Sequence, residues 1–213
     1  MKAIVKQIFT LSLLVAILPA AYAQQYTELD LSVQPLANKL CITCHGASGV
    51  GNPVVGGPAL AGIEPWYLEN QLLSFRNGWR GAEPDYIPAH AMQVAVAQLS
   101  DAQIAELLES VADWPVVDNP ASISGDASRG SGLYTSCAGC HGVSGDGNQA
   151  LAAPGLTRKD DWYLLRQLRL FKSGYRGGHP DDALGAQMRA SMNVLETEQD
   201  MRDVLVYINS LGS

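Results

Sequence analysis

Beyond residue 23 the 213-residue chain contains no apolar run of the roughly twenty residues that a membrane-spanning helix requires. No stretch alternates apolar and polar residues as a half-buried strand would, which argues against a β-rich fold. Bases are few, 14 Lys/Arg against 21 Asp/Glu for a formal charge of −7. That balance disfavours nucleic acid and anionic lipid as partners. Cysteine is scarcer still: there are four. They fall into two close pairs, so no spare thiol is left to serve as a nucleophile.

The one long apolar stretch lies at the start. Lys2 and Lys6 precede a mostly apolar Ile8 to Leu18, then Pro19 and Ala21-Tyr22-Ala23. This predicts a secretory signal peptide over 1–23, cleaved after Ala23. The alternative is a retained membrane anchor. Export places the protein in the periplasm of a Gram-negative-like bacterium. The mature chain would carry twelve bases against twenty-one acids, because the leader removes two lysines and no acid.

The cysteine pairs are Cys41-Ile42-Thr43-Cys44-His45 and, ninety-six positions on, Cys137-Ala138-Gly139-Cys140-His141. C-x-x-C-H is the attachment signature of c-type haem: two thiols add to the porphyrin vinyl groups and the adjacent histidine becomes an axial ligand. Two disulfides, or two Cys-x-x-Cys knuckles sharing a zinc, are the alternatives. Neither explains why histidine follows the second cysteine both times. The expected cofactors are two covalently bound haem c groups, held by Cys41, Cys44, Cys137 and Cys140, with iron on His45 and His141.

Laid over itself at the same offset, the chain matches without a gap from Cys41 to Met92. Gly46, Pro58, Trp66, Tyr67, Gln71, Phe75, Arg80 and Met92 fall on Gly142, Pro154, Trp162, Tyr163, Gln167, Phe171, Arg176 and Met188. Such register means two copies of one domain. Residues 24–114 and 126–213 are the expected domains. Residues 115–125, rich in Pro, Ser, Asn and Gly, form the linker.

Each copy reads as helical. One helix leads into the haem motif. A second carries Leu68, Leu72 and Phe75, mirrored by Leu164, Leu168 and Phe171, with Gly78 and Gly174 as C-terminal caps. A third carries Ile104, Leu107, Leu108 and Val111 behind a Ser100–Gln103 capping box, and its counterpart carries Val204, Ile208 and Leu211. The fold class is all-α: in each domain, three short helices wrap a haem that supplies the apolar core so small a domain lacks.

Met92 and Met188, repeat partners, are the candidate sixth ligands; thioether opposite imidazole is an arrangement of cytochromes c that raises the potential. Packing filler is the other common use of methionine. Met192 rivals Met188, and Met201 reads as core or surface. His90 and His179 lack histidine partners in the repeat and read as solvated loop residues. Pro58 and Pro154, each thirteen residues after a ligating histidine, are placed to accept its second ring N–H, though a plain loop role is open. Arg80 and Arg176 are candidate propionate partners and Trp66 and Trp162 candidate indole donors; simple surface positions are the alternative.

With these motifs in place the chain resembles the di-haem class I cytochromes c, and among them the cytochrome c4 family. The resemblance rests on the doubled Cys-x-x-Cys-His-Gly, the Pro-x-Leu stretch and the Trp-Tyr-Leu-x-x-Gln-Leu-x-x-Phe segment. It implies two tandem cytochrome c domains related by a pseudo-twofold, propionates facing across their interface, and electron delivery toward a terminal oxidase. It also implies that Gly130 and Tyr134 let the first and last helices of the second domain touch. Gln34 and Asn38 replace them in the first domain.

Charge is unevenly spread. Residues 24–118 hold three bases and eleven acids, residues 119–213 nine and ten. Arg158, Lys159, Arg166, Arg169, Lys172 and Arg176 cluster around one helix, either as a solvated face or as a dock for an acidic partner. The leading expectation is an electron-transfer protein, not an enzyme, without a small-molecule substrate. It would shuttle single electrons in a respiratory chain among redox proteins: a terminal oxidase, a bc1-type complex or a dehydrogenase, with peripheral contact to membrane complexes. The alternatives are an electron-accepting subunit of a periplasmic dehydrogenase, or a di-haem peroxidase or thiosulfate-dehydrogenase enzyme, which would need an exchangeable axial site.

Overall fold

A computed structural model describes residues 36–118 and 120–212. The leader at 1–23, Gln34 and the side chain of Asn38 lie outside the described residues. Among the described residues there is no strand, only two isolated bridges at matching positions, Asn52 with Gly57 and Asn148 with Ala153. Among the described residues no helix is long and apolar enough to cross a membrane.

The first domain contains α1 (Leu36–Leu40), α2 (Ile42–His45), α3 (Pro65–Arg76), α4 (Ile87–Val96) and α5 (Asp101–Ala112). The second contains α6 (Ala127–His141), α7 (Asp161–Ser173), α8 (Ala183–Ser191) and α9 (Glu198–Leu211). The helix leading into the haem motif is continuous in the second domain and interrupted at Cys41 in the first. Leu68, Leu72 and Phe75 are buried as their spacing predicts, against Ile104, Leu107 and Val111 of α5. In the second core Leu165 and Phe171 are fully buried while Leu164 and Leu168 pack partly. The Ser100–Gln103 capping box forms, and α9 opens on its own from Thr197 and Asp200.

α4 and α8 correct the three-helix expectation. α4 is apolar on nearly every side, with Val96 buried but Ile87 at 73% and Val94 at 60% exposure, and α8 is a short helix with no buried residue. Neither offers the contrast between a buried apolar face and a polar one on which a reading by spacing relies. Gly174 and Gly78 both close their helices in the left-handed region, Gly78 N donating to Phe75 O at 3.1 Å and Trp79 N to Ser74 O at 2.9 Å. His90 is not a loop residue. It sits on α4 with Nδ1 3.0 Å from the Gly81 carbonyl oxygen. Met201 belongs to the second core.

Gly130 permits the contact between α6 and α9: a Cβ there would stand 2.0 Å from the Asp203 carbonyl oxygen. Tyr134 then packs on Tyr207 with ring centroids 5.4 Å apart. The segment joining the domains is strapped to the second. The buried Asp161 carboxylate accepts from Ser122 N at 2.7 Å, Ile123 N at 2.8 Å and Ser122 Oγ at 2.6 Å.

Candidate functional site

Each Cys-x-x-Cys-His motif ends its helix on a glycine with positive φ, Gly46 at 78° and Gly142 at 80°. That turn sends the chain back past the histidine: Gly51 N and Gly147 N donate to the carbonyls of His45 and His141 at 2.7 and 2.8 Å. The loop then delivers Pro58 and Pro154, whose carbonyl oxygens lie 2.7 Å from His45 Nδ1 and His141 Nδ1. A carbonyl can only accept, so Nδ1 carries the proton and Nε2 keeps its lone pair. Both imidazoles are buried. Burial pushes their pKa down, against the opposing pull of the proline carbonyl, and a neutral ring is the form that binds iron.

In the first domain Met92 Sδ lies 3.5 Å from His45 Nε2. Two lone-pair-bearing atoms thus face each other in an apolar cavity, the imidazole and thioether donor set that cytochromes c use for iron. All four cysteines, both histidines, Met92, Met188 and Met192 line one continuous cavity walled by Leu68, Phe75, Leu168 and Phe171. Met192 is buried at 2% exposure, and Met188 is only partly buried against the second core. Burial pushes the Cys41 and Cys137 thiols up to about 11, with the neighbouring cysteine adding to the effect. The four thiols make no disulfide. These residues fit two haems: thiols at an edge, imidazole and thioether across an apolar slot.

Arg80 and Arg176 also reach this cavity, and they are buried. Gln71 Oε1 accepts from Arg80 Nη1 at 2.7 Å and Arg176 Nη2 at 2.8 Å. Gln167 Oε1 accepts from Arg80 Nη2 and Arg176 Nη1, both at 2.9 Å. Tyr163 and Tyr67 hydroxyls complete the exchange, on Arg80 Nη2 at 3.0 Å and Arg176 Nη2 at 2.8 Å. Each arginine also lies 4.3 Å over the phenylalanine of its own domain, Phe75 or Phe171. Burial and the nearby Arg176 charge push the Arg80 pKa down. Among the described residues neither guanidinium has a carboxylate in salt-bridge range, and Arg80 Nε is buried without a partner. Two such cations call for an anion, and haem propionates would supply it.

Trp66 and Trp162 do not line the cavity; the next residues, Tyr67 and Tyr163, do. One helical step of about 100° separates the two faces, and the tryptophans pack edge-on against those tyrosines instead. The basic cluster is partly engaged within the fold. Arg166 donates to Gly56 O at 2.6 Å, Lys159 to Gly62 O at 2.7 Å, and Lys172 to Leu195 O at 2.8 Å. Arg169 pairs with Glu198 and Arg158 with Asp118. Several of these contacts hold the first domain against the second. His179 stacks over Trp79 of the other domain at 6.4 Å, so it is not a free loop side chain either.

The sequence profile of cytochrome c matches twice, over residues 33–111 and 127–212. The chain belongs to the cytochrome c family. It carries two tandem domains of that fold and two covalent haem c groups, and its work is electron transfer. A thiosulfate dehydrogenase electron acceptor from Stutzerimonas stutzeri is 31% identical over 183 residues, spanning 81% of this chain and 79% of that one. Cytochrome c4 of Acidithiobacillus ferrooxidans has a structure that superimposes with a TM-score of 0.62 at 25% identity, covering 81% of this chain and 99% of that one. Thiosulfate dehydrogenase from Marichromatium purpuratum superimposes with a TM-score of 0.60 at 28% identity, over 79% of this cytochrome; the match spans only 35% of the larger chain.

Two carboxylates escaped the sequence reading. Glu64 and Asp160 are repeat partners at the starts of α3 and α7, and each reaches into the opposite domain: Gly155 N donates to Glu64 Oε1 at 2.6 Å and Ala59 N to Asp160 Oδ2 at 2.7 Å. An acid kept in register in both copies, six residues after the proline, was the available signal.

Proposed function

We propose that this cytochrome is a periplasmic one-electron carrier whose two haems are ligated by His45 with Met92 and His141 with Met188. The observation that carries the reading is the His45 Nε2 to Met92 Sδ approach in an apolar cavity. A haem bound there supplies one reversible electron at its iron. The protein's own part is to fix the imidazole through the Pro58 and Pro154 carbonyls, present a thioether that favours ferrous iron, and exclude water. Arg80 and Arg176 would hold the propionates at the junction, which brings both haems to a shared dry interface. The N-terminal leader would direct export, and the carrier would pass electrons toward a terminal oxidase. With His45 and Met92, and His141 and Met188, placed to hold each iron, no substrate site would remain on it, which is why we read the protein as a carrier and not an enzyme.

The test is the oxidised absorption spectrum and a potentiometric titration. Wild-type protein should show the far-red methionine-to-iron charge-transfer band at a strength due to two haems. Met92→Ala should halve the band and lower the potential of one haem; Met188→Ala should do the same at the other. A full-strength band in Met188→Ala that disappears in Met192→Ala would move the ligand to Met192. A second reading, electron acceptor for a dehydrogenase, is supported by the similarity to the Stutzerimonas stutzeri protein. Rapid haem reduction on mixing with thiosulfate and a thiosulfate dehydrogenase would favour it.

A further inference from the structure

We propose that Asp160 and Glu64 are positioning residues, each tuning the electron affinity of the haem held by the opposite domain. This rests on the reading of His45 and His141 as iron ligands. The peptide unit between Pro58 and Ala59 is used at both ends. Its carbonyl oxygen accepts the His45 Nδ1 proton at 2.7 Å, and its N–H donates to Asp160 Oδ2 at 2.7 Å. The unit between Pro154 and Gly155 repeats the arrangement, with His141 at 2.7 Å on the carbonyl and Glu64 Oε1 at 2.6 Å on the N–H. A carboxylate of one domain is thereby connected through a single amide to the histidine of the other.

Several features argue that the contact is built for this purpose. Asp160 stands at the N-cap of α7, where an aspartate ordinarily accepts from its own helix. It makes no such bond, and Glu64 at the N-cap of α3 makes none either. Both side chains reach across the interface instead of capping their own helices. Asp160 is buried at 5% exposure, so its charge acts in a weakly screened environment. Lys159, 3.6 Å from Glu64 Oε2 and bonded to Gly62 O, fixes the Glu64 side chain from the second domain. The register of the repeat places both carboxylates identically, so the device is doubled by the same symmetry that doubles the haems.

The direction of the effect follows from polarisation along a hydrogen-bonded chain. A carboxylate at the N–H pushes electron density toward the carbonyl oxygen, which then draws more strongly on the imidazole proton. A more electron-rich imidazole stabilises the ferric state and makes addition of one electron less favourable. Removing the carboxylate charge should therefore favour ferrous haem in the partner domain. The one electron involved comes from the redox mediator, and no bond is made or broken.

The test uses the full haem-loaded chain, titrated potentiometrically while haem methyl proton resonances report each domain separately. Asp160→Asn keeps an acceptor oxygen for Ala59 N and removes the charge. It should raise the ferrous-to-ferric ratio of the first-domain haem severalfold at fixed potential, with a smaller change in the second. Glu64→Gln should do the reverse, and it carries the test if the first variant fails to fold. In the ferrous protein the His45 Nδ1–H resonance should move upfield in Asp160→Asn. Asp161→Asn, which removes an adjacent buried charge bonded to Ser122 and Ile123, should leave the first-domain haem nearly unmoved. The proposal is overturned if Asp160→Asn shifts its own domain's haem as much as the other, if Asp161→Asn matches it, or if neither haem moves. A wild-type spectrum without the methionine band would instead sink the ligand assignment, so the two failures are distinguishable.

Discussion

At the residue scale, what sequence conveys depends on how near the partners lie. The haem-attaching cysteines and histidines are legible because their chemistry is confined to five consecutive positions. The proline carbonyls are nearly so, at thirteen residues' distance. Glu64 and Asp160 were not, because their partners lie 91 and 101 residues away and an N-cap acid has an ordinary local explanation. Arg80 and Arg176 line the cavity, and beside them stand Gln71 and Gln167, whose amide oxygens each serve both guanidinium groups, one of them across the domain junction where spacing gives no sign. That pairing makes a prediction. Gln71→Leu strands donors of two buried cations at once, so it should cost about 1–3 kcal/mol, as for other buried donors left unsatisfied. Denaturant unfolding of the haem-loaded protein measures it, and a change within error would show that other acceptors take over.

At the element scale, the apolar spacing read from the sequence reveals α3, α5, α7 and α9 and misses α4 and α8, which pack more lightly: α4 sets only Val96 fully into its core and α8 has no buried residue. The α6–α9 crossing has its own chemistry. Arg129 meets the buried carboxylates of Asp200 and Asp203. Asp200 is held below the ordinary carboxylate range chiefly by the Thr197 backbone N–H, and Asp203 chiefly by that of Asp126, with Arg129 reinforcing both. An unfolded aspartate takes up its proton near pH 4, the folded ones only at lower pH. The unfolded state then binds more protons in that window, so stability rises with pH across it. It is fully present above about pH 4 and is lost as pH falls through the depressed folded values. Unfolding midpoints followed from pH 6 downward, on the order of single pH steps, should show this acid limb in wild type and a flatter one in Asp203→Asn.

At the scale of the whole molecule, charge counted along the sequence leaves the cluster from Arg158 to Arg176 either a solvated face or a dock. The fold engages Lys159, Arg166 and Lys172 on carbonyls, while Arg158 and Arg169 stay largely exposed in surface pairs with Asp118 and Glu198. The first domain keeps its acids outward, with Glu69, Glu83, Asp101, Glu109 and Asp113 exposed. A cation bonded to a carbonyl keeps its charge, so the formal charge of −7 stands and the field around the molecule is negative. Encounter rates should follow: cationic small redox complexes should reduce the oxidised protein faster than anionic ones of equal driving force at low salt. The two rates should converge as ionic strength rises, because the field is screened beyond about 10 Å near 0.1 M. Stopped-flow reduction checks this, and equal rates at low salt would contradict it.

The arginine–glutamine ring at the junction has a consequence for distance. Its donors and acceptors alternate around a closed circuit, so one half cannot slide past the other without leaving a cation dry. Electron tunnelling falls off exponentially with separation, which makes small changes in spacing costly in rate. A junction that resists slippage gives the internal transfer step a fixed clock, the same whichever partner is docked outside.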